Sequence, residues 1–364
     1  EAEIDAAMAA PVAELRRDTT EAQREILNAV AISPESASAY NESVTLSLQG
    51  ALDIDALREA VALVLARHDA LRSHYSAEGD ERIVAARAGI EVRSEDLSLV
   101  APAPRALALA DRLRDEVSVP FDLTTGPLVR ALVLTEGPEL HRLVLTAHHI
   151  ACDGWSTAIL LREIGQAYAD LRQGRTPVLG QAQSILAYAR AEADAARSPA
   201  HALAAEAGTE AGRIDRDLDP DLVGRLRALA RKQGATFAQL LLAAYAIVVG
   251  RAGMAEDLVI GMPSAGQATH DMPNVVGHCV NLLPIRVKLD PAKPFADYLR
   301  EVRGTMFDAF AQGQVTLGEI LRQIGVERSP GRVPLVPVLF NVDGALDLDG
   351  LGFAPARAAI ATNP

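Results

Sequence analysis

The sequence predicts an α/β protein, because stretches with the alternation of a strand and stretches with the periodicity of a helix follow one another along 364 residues. Residues 43–50 alternate as a strand does. Residues 130–136 and 141–147 are apolar runs separated by Gly-Pro-Glu-Leu, which predicts a hairpin. A helix is expected to begin near Asp53 and to carry an apolar stripe. The members of that stripe are Leu57, Val61, Val64 and His68.

A second half with the same character follows a Gly- and Pro-containing stretch at 171–181. Asp219 and Pro220 are an N-cap and a first helical residue, and Gly234 ends the helix they open. Thr236 and Gln239 form a capping box for the next helix. Strands are expected at 258–263 and 279–289, and the helical stripes are expected to be core: Leu222, Leu226 and Leu229, then Phe237, Leu240, Leu241, Ala244 and Val248.

The composition excludes several classes of function. The chain is 49% hydrophobic and 23% charged, as soluble globular proteins are, and its net charge of -13 argues against nucleic-acid binding, which needs a basic surface. Neither an apolar run long enough to span a membrane nor a signal peptide is visible. Two cysteines are too few for a disulfide framework. These observations predict a cytoplasmic protein without membrane or nucleic-acid partners.

The nine residues HHIACDGWS, from His148 to Ser156, have the character of a functional site. They join the predicted strand 141–147 to a helix over 156–170, for which Ser156 is the expected N-cap. Since neighbouring side chains on a strand point to opposite faces, one histidine is expected to be chemical and the other structural. Histidine suits proton transfer because its ordinary pKa is about 6.5. Asp153 can hold an imidazole or an arginine in place, and Gly154 permits an unusual backbone geometry. An acyl-transfer site is the leading hypothesis.

Two other interpretations of this segment stay open. A metal site would use the same histidines and Asp153, but no HExxH or CxxC pattern supplies the remaining ligands, so no metal is predicted. Cys152 could be a nucleophile, although nothing in the sequence indicates the lowered pKa that a catalytic thiol needs.

The string HHxxxDG resembles the core motif of condensation domains of nonribosomal peptide synthetases, which is commonly extended by Trp-Ser. Other segments resemble that family in the same order along the chain, and one of them, VGHCVNLLPIR, looks most like condensation domains of hybrid polyketide–peptide systems. These segments are TEAQREI (20–26), RHDALRSHY (67–75), PFDLTTGPLVRA (120–131), VGHCVNLLPIR (276–286) and PLVPVLFN (334–341).

The resemblance implies a chloramphenicol-acetyltransferase-like fold, with two similar αβ lobes in a V and the active site at their junction. We expect an N-terminal lobe over 1–175, a crossing segment over 176–215 and a C-terminal lobe over 216–364. LAAEAGTEAGR (203–213) is shorter than the family's usual segment, and the chain stops before the family's usual end. Residues are therefore expected to be missing from the crossing segment, and the second lobe to be truncated.

The resemblance also implies a role for each site residue. His149 is expected to handle the proton or orient the amine, with His148 structural. Asp153 is expected to form a supporting ion pair with Arg286. Breaking a buried pair from one side costs ~3–5 kcal/mol, so Asp153→Ala should damage folding as well as rate. Gly154 is expected to offer its N–H to the oxyanion. Residues expected to lie near the channel or substrate are Trp155, Ser156 and Asn281.

The implied reaction is aminolysis of a thioester in secondary metabolism, giving an amide, or an ester if the acceptor is a hydroxyl. Donor and acceptor carrier proteins would be the partners, together with adjacent synthase domains. They would deliver substrates on phosphopantetheine arms, and the domain itself is expected to bind no cofactor. A coenzyme A-dependent acyltransferase and a catalytically silent carrier-protein docking module remain as alternatives.

Overall fold

The structure is a computed structural model that describes residues 15–32, 34–86, 89–195, 214–253, 255–324, 335–343, 348 and 350–360. The described residues form two compact units. The first unit takes in those of Glu1–Asp194, His270–Cys279 and Ala345–Pro364, and the second those of Ala195–Thr269 and Val280–Gly344.

The first unit is a five-stranded sheet and a three-stranded sheet with helices. Its strands are β1 (Leu15–Asp18), β2 (Asn41–Gln49), β3 (Ser73–Tyr75), β4 (Glu81–Val84), β5 (Val92–Asp96), β6 (Val129–Gly137), β7 (Leu140–His148) and a last strand at Arg357–Ile360. Its α-helices are α1 (Glu21–Ile32), α2 (Ile54–Arg67), α3 (Pro102–Ser118), α4 (Gly154–Leu171) and α5 (Ile185–Ala195), and 3₁₀ turns lie at Pro34–Tyr40 and Asp69–Arg72.

Strand β7 lies at the centre of the five-stranded sheet, between β2 and β6, and is antiparallel to both. Strand β5 pairs with β6 in parallel, and Arg357–Ile360 pairs with the outer side of β2. Both faces of the sheet are covered, because alternate residues of the same strands enter different cores. Leu143 and Leu145 belong to the core around α2 and α4, whereas Val144 packs in a separate cluster with Leu113 of α3. The predicted hairpin of β6 and β7 is confirmed.

The second unit packs helices on a three-stranded sheet. Its elements are α6 (Pro220–Lys232), α7 (Phe237–Gly253), β8 (Asp257–Ala265), α8 (Gly266–Thr269), β9 (Val280–Lys288), α9 (Phe295–Ala311), α10 (Leu317–Ile324) and β10 (Val338–Leu339). The sheet has the order β10, β8, β9. The predicted caps are confirmed: Asp219 accepts from Asp221 N, and Thr236 exchanges hydrogen bonds with Gln239.

Three expectations need correction. The chain does not divide at single boundaries, since His270–Cys279 hydrogen-bonds to the start of α4 and Arg357–Ile360 extends the first sheet. On α7 the buried face contains Leu240, Leu242, Ala243 and Ala246, while Val248 is exposed. Leu222 and Leu229 of α6 are exposed as well.

The segment 203–213, in which missing residues are expected from the sequence, lies outside the described residues. No single helix of the described ranges is long and apolar enough to cross a membrane, although α6 and α7, bent by 102°, pass that test of length and composition together.

Candidate active site

The end of β7 directs the two adjacent histidines to different surroundings. The backbone N–H of His148 donates to Leu128 O at 3.0 Å, on the β6 side, and that of His149 donates to Tyr40 O at 2.7 Å, on the β2 side. Consecutive side chains of an extended chain point to opposite faces, so the two imidazoles separate. His148 is fully buried, whereas the side chain of His149 is 26% exposed.

His148 is enclosed by aromatic rings and the backbone. Its Nδ1 accepts a hydrogen bond from Ile150 N at 3.2 Å, Tyr40 stacks on it at a centroid distance of 5.7 Å, and Phe121 meets it edge-on at 6.3 Å. Burial, with a smaller contribution from the charge of His149, lowers the pKa of His148 to about 4. His148 is therefore neutral at neutral pH.

His149 has a carboxylate partner. Its Nδ1 lies 2.9 Å from Glu42 Oε1 and 3.2 Å from the carbonyl oxygen of Cys152, and the His278 ring meets it edge-on at 4.5 Å between centroids. Burial lowers the pKa of His149, but the hydrogen bond and negative charge of Glu42, with smaller contributions from Cys152 and Asp153, outweigh it. The pKa of His149 is raised above its ordinary value as a result.

The ring of His278 also contacts His149. It is buried, and its Nδ1 has no hydrogen-bond partner among the described residues. Burial, followed by the charges of His149 and His148, lowers the pKa of His278 to about 3. Sequence reasoning missed both Glu42 and His278. His278 was visible as a titratable residue inside VGHCVNLLPIR, and Glu42 as a charge just before the predicted strand 43–50.

Asp153 is the N-cap of α4 and ties a remote segment to it. Its Oδ1 accepts from Ser156 N at 2.8 Å and from Ser156 Oγ at 2.7 Å, and its Oδ2 accepts from Cys279 N at 3.2 Å. The sequence predicts the cap at Ser156, which lies two residues inside the observed helix. Asp153 takes that place because its carboxylate reaches the third helical N–H.

Arg286 has a carboxylate partner other than Asp153, the partner expected from the sequence. The guanidinium of Arg286 makes a two-pronged pair with Asp257, at 2.9 Å from Nε and 2.7 Å from Nη2. Arg286 lies on the exposed face of β9, where exposed Arg286 and Lys288 alternate with buried Ile285 and Val287. The arginine therefore pairs with an exposed carboxylate on the neighbouring strand.

The three residues expected near the channel or substrate, Ser156, Trp155 and Asn281, differ in their surroundings. Ser156 is fully buried, and its hydroxyl contacts Gly277 O at 3.0 Å and Gly277 N at 2.9 Å as well as Asp153, so it joins two segments and is not at a substrate-facing surface. Trp155 is 43% exposed, and its Nε1 donates to Pro273 O at 2.9 Å. Asn281 donates to Gly313 O and Val315 O, both at 2.9 Å, and so holds the turn after α9.

Gly154 does not have the unusual backbone geometry expected from the sequence. It is the first residue of α4, it is not among the residues with positive φ, and an added Cβ would meet nothing within 4 Å. Its N–H belongs to the first helical turn, where N–H groups have no acceptor within the helix.

Buried polar side chains contact the backbone of the loop that follows His149. Gln23 Nε2 and Tyr75 OH each approach Ile150 O at 3.5 Å, and Arg82 Nη1 donates to Gln23 Oε1 at 3.1 Å. Arg82 is fully buried, so this chain of hydrogen bonds runs from the interior to the backbone of the motif.

The two other interpretations of the motif find little support in this geometry. Burial raises the pKa of the Cys152 thiol, which is the opposite of what a thiolate nucleophile needs. Across the described ranges, no three His, Cys, Asp or Glu side chains lie together in a way that could hold a metal ion.

The fold of this chain is similar to that of solved condensation domains. The chain resembles the condensation domain from Monacolin K polyketide synthase MokA with a TM-score of 0.77 and 21% identity, over 96% of this chain and 85% of that one. It resembles the first condensation domain of the calcium-dependent antibiotic synthetase, in complex with substrate analogue 2a, with a TM-score of 0.75 and 23% identity, over 95% and 84%. The predicted α/β, chloramphenicol-acetyltransferase-like fold is confirmed.

The family follows from the sequence. The Condensation domain model matches residues 18–349, and the chain belongs to this family. It is 29% identical over 351 residues to bacitracin synthase 3 of Bacillus licheniformis, covering 88% of this chain and 5% of that protein. It is 30% identical over 337 residues to phosphinothricin tripeptide synthetase PhsB of Streptomyces viridochromogenes, covering 85% and 28%. The chain thus spans a small part of such relatives.

The family determines the class of enzyme. Condensation domains of nonribosomal peptide synthetases are acyltransferases that form amide bonds, and the predictions of that family and that enzyme class are confirmed. Such domains work with phosphopantetheine-bound substrates on carrier proteins.

Proposed function

We propose that this chain joins an acyl or peptidyl thioester on a donor carrier protein to the amine, or hydroxyl, of an acceptor that is usually carrier-bound, and that His149 orients or deprotonates the nucleophile. The observation that carries the proposal is the placement of His149: a partly exposed imidazole, held at Nδ1 by Glu42 and Cys152, in the second position of HHxxxDG.

The proposed reaction has few steps. The acceptor nitrogen attacks the thioester carbonyl carbon, and a C–N bond forms as the carbonyl oxygen becomes an oxyanion. An N–H proton passes to His149, the C–S bond breaks, and the pantetheine sulfur leaves with the electron pair and takes that proton from the His149 imidazolium. Alignment of two tethered reactants can contribute up to ~7–11 kcal/mol and a placed base ~10²–10⁴-fold, so one imidazole suffices.

Other residues of the motif would support this step without bonding changes. Asp153 would fix the start of α4 against Cys279. The backbone N–H of Gly154, in the first turn of that 18-residue helix, is the proposed donor to the oxyanion. Trp155, whose ring is partly exposed next to this turn, is proposed to lie near the substrate.

Small thioesters offer a practical way to supply the reactants. A starter condensation domain of rhizomide synthetase, to which this chain is 22% identical, was solved as a double mutant in complex with C8-CoA and Leu-SNAC. For this chain we propose carrier proteins as the natural donors and acceptors, and short N-acetylcysteamine thioesters as probes.

The test is a transfer assay followed by intact-protein mass spectrometry. A panel of acyl groups is loaded on a donor carrier protein and a panel of aminoacyl groups on an acceptor carrier protein, and the chain, or its His149→Ala variant, is added. We expect the acceptor to gain the mass of the donor acyl group with the native chain, and the rate to fall by ~10²–10⁴-fold in His149→Ala.

His74→Ala is the matched control, because it removes a partly buried histidine from β3 of the same unit and should keep the native rate. Transfer that survives His149→Ala at the native rate would contradict the role of His149. Transfer from acyl-coenzyme A with no carrier protein would favour a coenzyme A-dependent acyltransferase. Binding of loaded carriers without transfer by the native chain would favour a docking module.

A further inference from the structure

Two acceptors converge on one nitrogen of the His149 ring. Glu42 Oε1 lies 2.9 Å from Nδ1, and the backbone carbonyl of Cys152 lies 3.2 Å from the same atom. Neither a carboxylate nor a carbonyl oxygen can donate, so Nδ1 must carry the hydrogen. The neutral ring then keeps its lone pair on Nε2, which is the form a base needs.

Glu42 comes from another part of the chain. It lies on β2, where the register pairs it with Ala147, the residue before the two histidines. Strand pairing therefore brings the carboxylate to the exit of β7. The Glu42 side chain is 44% exposed and the His149 side chain 26% exposed, so the pair lies at an accessible surface and not within a packed core.

We infer that Glu42 is a positioning residue for the reaction proposed above: its carboxylate selects the Nδ1–H tautomer of His149, fixes the ring, and sets the pH range in which Nε2 can accept a proton. The inference rests on the proposed role of His149. It assigns Glu42 no contact with substrate.

The charged and titratable groups around His149 make Glu42 the main control of its protonation. From the same loop come Asp153, whose charge acts in the same direction, and the buried thiol of Cys152. His148 from β7 and His278 from the segment before β9 are the other neighbours, and burial keeps both neutral near pH 7. Among these groups, Glu42 makes the largest contribution that raises the pKa of His149.

Two variants separate charge from orientation. Glu42→Gln removes the charge and keeps an amide oxygen able to accept from Nδ1–H, and the Cys152 carbonyl continues to favour that tautomer. Glu42→Ala removes both the charge and the contact. For a base, the rate falls as pH drops below the pKa of His149. Removing the negative charge lowers that pKa, so the acidic limb of the rate profile should move to lower pH in both variants.

The rate on the plateau of the pH–rate profile, above the pKa of His149, should distinguish Glu42→Gln from Glu42→Ala. We expect Glu42→Gln to keep the plateau rate within about tenfold of the native chain. Glu42→Ala should lower it by ~10–100-fold, by analogy with the loss of groups that orient metal-binding histidines. A structural role alone would lower the plateau without moving the limb.

The experiment combines the pH–rate profile of transfer with an NMR titration of the imidazole of His149, assigned by its loss in His149→Ala. The NMR signal needs no substrate. Glu139→Gln is the matched control, because Glu139 is exposed in the turn at the opposite end of β7 and carries the same charge. It should shift neither measurement.

An unchanged titration of His149 in Glu42→Gln, with an acidic limb at the native pH, would overturn the inference. Full activity of His149→Ala would instead overturn the proposed function, whatever the titration shows. A lower titration pH for His149 in Glu42→Gln together with a shifted limb supports both.

Discussion

The carboxylate of Asp153 serves two buried backbone donors at once, and this makes its removal quantitatively predictable. The N–H of Ser156 and the N–H of Cys279 each lose their acceptor in Asp153→Ala. The Ser156 hydroxyl does not, because it can still donate to Gly277 O at 3.0 Å. Each buried N–H group that is left without an acceptor costs ~1–3 kcal/mol, so the two together predict a loss of ~2–6 kcal/mol in the free energy of unfolding.

The Asp153→Ser variant separates the contribution of the Ser156 N–H from that of the Cys279 N–H. A serine is a good N-cap and can accept from Ser156 N, but its shorter side chain cannot also reach Cys279 N. We expect it to lose only the Cys279 share, ~1–3 kcal/mol. Asp53→Ala is the matched control, since Asp53 caps α2 of the same unit through Ala56 N at an exposed position, and it should cost ~0.5–2 kcal/mol.

The assay is urea unfolding followed by the emission of Trp155, the only tryptophan, which lies two residues after Asp153 and so reports on the first unit. Circular dichroism of the same samples follows both units, and the two probes need not coincide. Arg286→Ala should leave the transition seen by Trp155 unchanged, because that arginine pairs with exposed Asp257.

Equal losses in Asp153→Ala and Asp53→Ala would refute this reasoning, because Asp153 would then be only a helix cap. A loss in Arg286→Ala as large as that in Asp153→Ala would restore the buried ion pair that the sequence predicts.

Two further predictions concern the core and the buried histidines. Gly165→Ala places a Cβ 1.4 Å from Leu351 O on the facing backbone, so urea unfolding should show a loss of about 3 kcal/mol, whereas Gly224→Ala on α6, with nothing within 4 Å, should gain about 0.5–1 kcal/mol. The pKa values of about 4 for His148 and about 3 for His278 lie below the unfolded value of about 6.5, so the unfolded chain binds more protons. These two histidines should therefore add no pH dependence above pH ~7, and they should lower the stability by a few kcal/mol as pH drops toward ~4. The fall should be less steep in His278→Gln, as measured by urea midpoints between pH ~7 and pH ~4.

The elements that the sequence predicts correctly are those defined by contiguous residues. The hairpin of β6 and β7 needs only two apolar runs and a turn, and the caps at Asp219 and Thr236 need only side chains within three residues of their acceptors. The motif likewise identifies a strand exit followed by a helix. In each case the determining interaction is local.

The buried face of α7 illustrates where periodicity fails. This helix is apolar around most of its circumference, so several stripes fit the helical spacing equally well. The helical spacing predicts the stripe that ends in Val248, but the buried face holds Leu242, Ala243 and Ala246 instead. Only the position of the neighbouring strands decides between such faces.

Partners across strands are the other information that the sequence lacks. Arg286 pairs with Asp257 because β8 and β9 are antiparallel neighbours in a particular register. Glu42 reaches His149 because β2 lies beside β7, more than 100 residues away along the chain. Neither pairing is encoded by a spacing, and a resemblance carries over only the residues that a motif names.

Three imidazoles meet at the end of β7, and their electrostatic surroundings differentiate them. Within the described part of the chain, His148 and His278 are buried without a carboxylate at hydrogen-bond distance, so burial lowers their pKa values to about 4 and about 3, and neither changes charge near neutral pH. His149 has such a carboxylate, and its pKa is raised. A group that exchanges a proton with an amine must change charge near the working pH. Strand geometry separates the two adjacent histidines, and the carboxylate of Glu42 is the physical reason why the second one suits the proposed proton transfer.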